Sequence, residues 1–139
     1  MMDYTARIFS HRPEDTTAPI LVDADRPGRQ ISWDDYSATV KRIAVGLRSH
    51  GVASQDGVGL LSHNDIYYYV LGDGAIATGA VFTGIPTFVK QGELAHAIQA
   101  GGLQWLFASP EFLELALATV QSLGLPSDMV LLFDPPGSS

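Results

Sequence analysis

The chain has 139 residues, 46% apolar and 17% charged, with no cysteine and a formal net charge of −7. That is the composition of one ordinary folded domain rather than a disordered segment, and it excludes disulfide scaffolds and thiolate zinc sites. Fifteen acidic against eight basic residues, with no basic cluster longer than Lys41-Arg42, argue against a nucleic-acid partner. No apolar run approaches the roughly 20 residues that cross a bilayer, so no membrane partner is expected. The opening MMDYTARIFSHRPED lacks the apolar stretch of a signal peptide, which sets a cytoplasmic location as the expectation.

In chain order, residues 1–19 read as an N-terminal extension, 20–134 as one α/β unit and 135–139 as a tail. Ile20 to Trp33 (ILVDADRPGRQISW) holds two short β-prone stretches around Arg26-Pro27-Gly28, a hairpin signal. Ser32 before Trp33-Asp34-Asp35 predicts a helix N-cap. Tyr36, Val40, Ile43, Ala44 and Leu47 follow at helical spacing, and Gly51 ends the helix. Val58 to Leu61 reads as a buried strand. Asn64 or Asp65 then caps a helix through Tyr67, Val70, Leu71, Ala75 and Ile76.

The alternation continues with a strand at Ala80 to Phe82, a helix at Gly92 to Ala100 and a strand at Leu103 to Ala108. Ser109-Pro110 opens a helix running to Gly124, and Met129 to Phe133 reads as a last strand. Strands alternating with helices imply βαβ crossovers. The fold class expected is therefore α/β, a largely parallel sheet with helices on both faces, preceded by a short β-hairpin.

Little catalytic chemistry is written locally. Gly72-Asp73-Gly74-Ala75-Ile76-Ala77-Thr78-Gly79 misses the GxGxxG spacing and sits inside a helical pattern rather than at a strand-to-helix turn. Gly79 and Gly84 have the glycine spacing of a P-loop, but Ile85-Pro86 stands where a lysine and a hydroxyl must reach phosphate and magnesium. These glycines suit close packing and a turn. His11, His50, His63 and His96 lack the spacing of a shared metal site. Tyr67-Tyr68-Tyr69 falls on three helix faces and cannot form one stacking platform. No GxSxG elbow, CxxC or paired-carboxylate signature occurs.

Ser62-His63-Asn64-Asp65 follows a predicted parallel strand, where ligands enter open α/β sheets. His63, Asn64 and Asp65 are therefore the candidate catalytic residues, with Thr87 as a candidate substrate contact at a neighbouring strand end. A helix cap with a solvated histidine is the simpler reading of the same segment.

Taken together, Ile31-Ser32-Trp33-Asp34-Asp35-Tyr36, the helix ending GLRSHGV, the SHND segment and Ala75 to Pro86 (AIATGAVFTGIP) resemble the adenylate-forming, or AMP-binding, superfamily. The likeness is to acyl-CoA ligases of the 4-coumarate–CoA ligase type. Gly92-Glu93-Leu94-Ala95-His96 and LQWLFASPEFL continue it, so it runs from about Ile20 to Phe133. Gln55-Asp56-Gly57 and Gly84-Ile85-Pro86 depart from the family's usual loops.

The resemblance implies a truncated N-terminal subdomain of the ligase fold. It also implies that the ATP phosphate loop, the adenine and ribose motifs, the hinge and the C-terminal catalytic lysine would follow Ser139. No catalytic residue of the family carries over to this chain. ATP, Mg2+ and CoA belong to the full-length parent, with no cofactor expected for this chain alone.

Three readings follow. The first is an N-terminal piece of an ATP-dependent acyl-CoA ligase, inactive by itself. The second is a short stand-alone homologue repurposed as a small-molecule-binding or non-redox biosynthetic protein, using His63, Asn64 and Asp65 with Thr87. The third is a non-catalytic interaction module pairing through an open sheet edge. The expected partner is a second copy, as a homodimer or higher oligomer, or the missing remainder of the ligase.

Overall fold

The computed structural model describes residues 4–138. The chain forms two compact units, one from Met1–Ala53 with Asn64–Gly79 and one from Ser54–His63 with Ala80–Ser139.

In the first unit, α1 (Tyr4–Ser10) precedes the antiparallel hairpin of β1 (Pro19–Val22) and β2 (Gln30–Ser32), in register at Leu21–Ile31 and Val22–Gln30. Its reversal uses the predicted Arg26-Pro27-Gly28 signal: the Arg29 N–H donates to the Arg26 carbonyl at 2.8 Å. Asp23 Oδ1 accepts the backbone N–H groups of Asp25 and Arg26 at 2.9 and 3.1 Å. Helix α2 (Trp33–His50) starts where the capping signal placed it, the Asp35 N–H donating to Ser32 Oγ at 3.2 Å. It stops at Gly51, whose φ of 110° only glycine adopts freely.

Helix α3 (Ile66–Ala77) lies close against α2. A Cβ on Gly74 would fall 2.3 Å from Ile43 Cγ2, so this glycine serves helix packing rather than a phosphate. Ile31, Trp33, Tyr36, Val40, Ile66 and Val70 form the core of this unit, with Ile8 and Phe9 packed on it. Helix α1 had no counterpart among the predicted elements. Its only apolar signal is the Ile8-Phe9 pair, too short to show a period.

In the second unit, β3 (Gly57–Leu61), β4 (Val81–Ile85), β5 (Leu103–Ala108) and β6 (Val130–Leu132) form one parallel sheet in the order β4-β3-β5-β6. All five residues of β3 are buried. Helices α4 (Gln91–Ala100) and α5 (Pro110–Ser122) contribute Leu94, Ile98, Ala116 and Val120 to a core shared with Leu61, Ile85, Leu103, Leu106 and Met129.

The α/β class, parallel sheet and preceding hairpin are as expected, while several element boundaries move. Strand β4 runs to Ile85 because pairing with β3 carries it through Thr83-Gly84 and buries Ile85 opposite Leu61. Met129 lies in a 3-10 turn, Ser127–Met129, and β6 is correspondingly short. Helix α5 ends at Ser122, with Gly124 at a φ of 69° just beyond. No helix among the described residues is long and apolar enough to cross a membrane.

Candidate functional site

Strand order reverses between β3 and β5, because β4 lies on one side of β3 while the next strand in sequence lies on the other. In open parallel sheets such a switch point leaves a crevice at the strand carboxyl ends. There the Ser109 N–H donates to the Leu61 carbonyl at 3.1 Å, tying the two strand ends together.

His63 projects just beyond β3. Its Nε2 lies 3.5 Å from Glu111 Oε2, in the first turn of α5, and its ring packs on Phe112 with centroids 5.2 Å apart. Both polar side chains are more than half exposed, so water screens the pair and its strength is that of a surface contact. A serine relay would need a hydroxyl donating to the imidazole. Here the buried Ser62 Oγ donates to the His63 carbonyl at 2.9 Å, and Ser109 Oγ lies 3.5 Å from Glu111 Oε1. The arrangement presents an imidazole at His63 beside the Phe112 ring, but no activated nucleophile among the described residues.

Thr87 lies in the β4–α4 loop, half-buried, two residues beyond Ile85. Since Leu61 pairs with Ile85, His63 and Thr87 leave the sheet at the same backbone level. Glu111 went unnoticed in the sequence. The signal available was an acid in the first turn after Ser109-Pro110, which ordinarily reads as a dipole partner and nothing more.

Asn64 and Asp65 belong to the other unit. Asn64 is exposed. Asp65, rather than Asn64, caps α3, accepting the Tyr67 N–H at 2.9 Å. Its carboxylate is also gripped by Arg29. The Arg29 guanidinium is held above its usual pKa chiefly by the hydrogen bonds to Asp65, against a desolvation penalty and with Asp23 adding to the effect. Asp65 thus serves the structure twice, capping α3 and pairing with Arg29. No group of three or more His, Asp or Glu among the described residues is placed to share a metal ion.

Residues 7–137 match the family model described as AMP-binding enzyme. The chain is 30% identical over 133 residues to a phenylacetyl-CoA ligase of Aspergillus niger, covering 96% of this chain and 25% of that ligase. It therefore spans about a quarter of the length of that curated relative. An uncharacterized protein of Mycobacterium tuberculosis is 28% identical over 125 residues, covering 87% of this chain and 69% of that protein. Among solved structures, a benzoate CoA ligase from Burkholderia xenovorans superposes with a TM-score of 0.85 at 16% identity, over 97% of this chain and 26% of that one. With the family match running over nearly its whole length and the ligase fold beneath it, this chain belongs to the AMP-binding enzyme family.

Proposed function

We propose that the chain forms the N-terminal α/β part of an ATP-dependent acyl-CoA ligase. The whole enzyme would convert a carboxylate and ATP to an acyl-adenylate and pyrophosphate, with Mg2+ on the phosphates. It would then pass the acyl group to the thiol of CoA, in the cytoplasm. The observation that carries this reading is the family match over residues 7–137, in a chain that spans a quarter of a ligase relative. Phosphoryl-group chemistry rests on positioned charge, and these 139 residues hold neither a phosphate-cradling glycine loop nor a lysine placed beside one. The contribution of this part is a scaffold, and by itself it performs no adenylation.

Two measurements test this reading. The purified chain should show no carboxylate-dependent ATP–pyrophosphate exchange, whereas a chimera in which it replaces the matching quarter of a phenylacetyl-CoA ligase should show it. Exchange by the chain alone, or a folded but inactive chimera, overturns the proposal.

The Mycobacterium tuberculosis relative, of which the chain covers 69%, favours a second reading. In it, a short homologue binds a small molecule at the β3–β5 crevice, with His63 as the polar contact, Glu111 orienting it and Thr87 beside the entrance. His63→Ala should then abolish ligand binding without lowering stability.

A further inference from the structure

The hairpin-and-helix unit carries a cleft that the ligase reading does not use. It has a volume of about 510 Å3, within the range of small-molecule sites, and is lined among the described residues by Arg7, Ile8, His11 and Trp33. Its apolar wall is fixed from behind. Phe9 meets Trp33 edge-on with centroids 6.0 Å apart, and Tyr36 backs the indole at 5.6 Å, so Trp33 stays 9% exposed.

The polar side of the cleft carries the Arg7 guanidinium and, beside it, the His11 imidazole, both exposed, and no carboxylate is among the described lining residues. His11 Nδ1 lies 2.7 Å from the Arg7 carbonyl. A proton on Nδ1 satisfies that contact and leaves Nε2 as the ring nitrogen available to a ligand. An apolar wall and a guanidinium lining one cleft suit an amphipathic anion: the body packs on Ile8 and Trp33, and the carboxylate meets Arg7 through charge-assisted hydrogen bonds.

We infer that this cleft binds a small organic carboxylate with a phenyl-sized apolar body. The inference rests on this unit alone and is independent of the proposed adenylation chemistry.

The test uses the full 139-residue chain and 3-phenylpropionate as the probe, followed by proton–nitrogen correlation spectra. A saturable shift of the Trp33 indole N–H and the His11 amide is expected. Binding should weaken about tenfold with the neutral 3-phenylpropanamide, the size of one lost charged hydrogen bond, and by a similar factor in Arg7→Gln. Arg7 is exposed, and an unchanged spectrum elsewhere verifies that the variant folds. The inference is overturned by the absence of a Trp33 shift up to about 10 mM probe, by equal affinity for acid and amide, or by unchanged affinity in Arg7→Gln. Shifts reproduced by inorganic phosphate alone would also overturn it, since they would show an anion site without the apolar half.

Discussion

Arg29 holds both carboxylate oxygens of Asp65, with Nη1–Oδ2 at 2.6 Å and Nη2–Oδ1 at 3.1 Å. The same guanidinium reaches Asp23 Oδ2 at 3.2 Å and lies 5.5 Å from the centroid of the Tyr67 ring. Since Asp65 also caps α3, one carboxylate joins the hairpin to the start of that helix. The carboxylate that follows this parallel strand thus has a structural role of its own.

The two duties of Asp65 are separable. Asp65→Ala should lower the unfolding free energy by about 2 kcal/mol, roughly half from the lost cap and half from the broken, partly buried pair. Asp65→Asn keeps a capping oxygen, because asparagine caps as well as aspartate, and should cost about 1 kcal/mol. Urea denaturation measures both. Equal losses in the two variants would show that the cap contributes nothing.

Asp23 gives the cluster an acid limit. Partial desolvation acts to raise its pKa, but the Asp25 N–H, Arg29 and the Arg26 N–H together outweigh this and hold it below the ordinary 3.8. A carboxyl depressed in the folded state contributes stability that is fully present well above 3.8 and is lost as pH falls through the lower, folded value. Asp23→Asn should therefore be less stable than the parent at pH 7, with the gap closing on acidification toward pH 3. Denaturation midpoints measured across that range decide it, and a gap that widens instead refutes the assignment.

The two serine caps differ in kind. Ser32 accepts the Asp35 N–H, whereas Ser109 occupies the N-cap position of α5 with no backbone hydrogen bond to its side chain. Ser32→Ala should cost about 1 kcal/mol and Ser109→Ala only a few tenths. The reverse order in chemical denaturation would mean that Ser32 is not the cap that holds the start of α2.

That contrast marks how far the sequence reaches. Ser32, Gly51 and Ser109-Pro110 announced helix ends because capping is local chemistry, and the strand–helix alternation announced a parallel sheet because crossovers need that length of chain. The partners of Asp65 and His63 were not legible. Arg29 is 36 residues from Asp65, and Trp105 Nε1 donates to Asp56 across 49 residues, pairings that only the folded topology creates. The choice between Asn64 and Asp65 as a cap, open in the sequence, is settled in the fold by the same Arg29. Helix α1 escaped because tertiary packing of Ile8 and Phe9, rather than a repeating pattern, holds it.

Self-association is the final expectation. Strand β4 ends the sheet on one side with the sequence Val81-Phe82-Thr83-Gly84-Ile85, which contains no charged residue, and β6 ends it on the other. Val81 and Leu132 are each 53% exposed and Phe88, just past β4, is 81% exposed. Strand β6 runs into Asp134-Pro135-Pro136, a charge and two prolines that blunt pairing, so β4 is the less guarded edge. The net charge of −7 opposes association, but at 0.15 M salt that repulsion is screened beyond about 8 Å. Apolar burial contributes about 25 cal/mol per Å2 and should prevail in a symmetric dimer joined through β4. Light scattering at micromolar concentration should then show a mass above the 14.9 kDa of one chain. Thr83→Lys, which places a charge on the exposed edge, should return it to that mass. A clean monomer of the unmodified chain removes the idea, and a dimer indifferent to Thr83→Lys places the contact elsewhere.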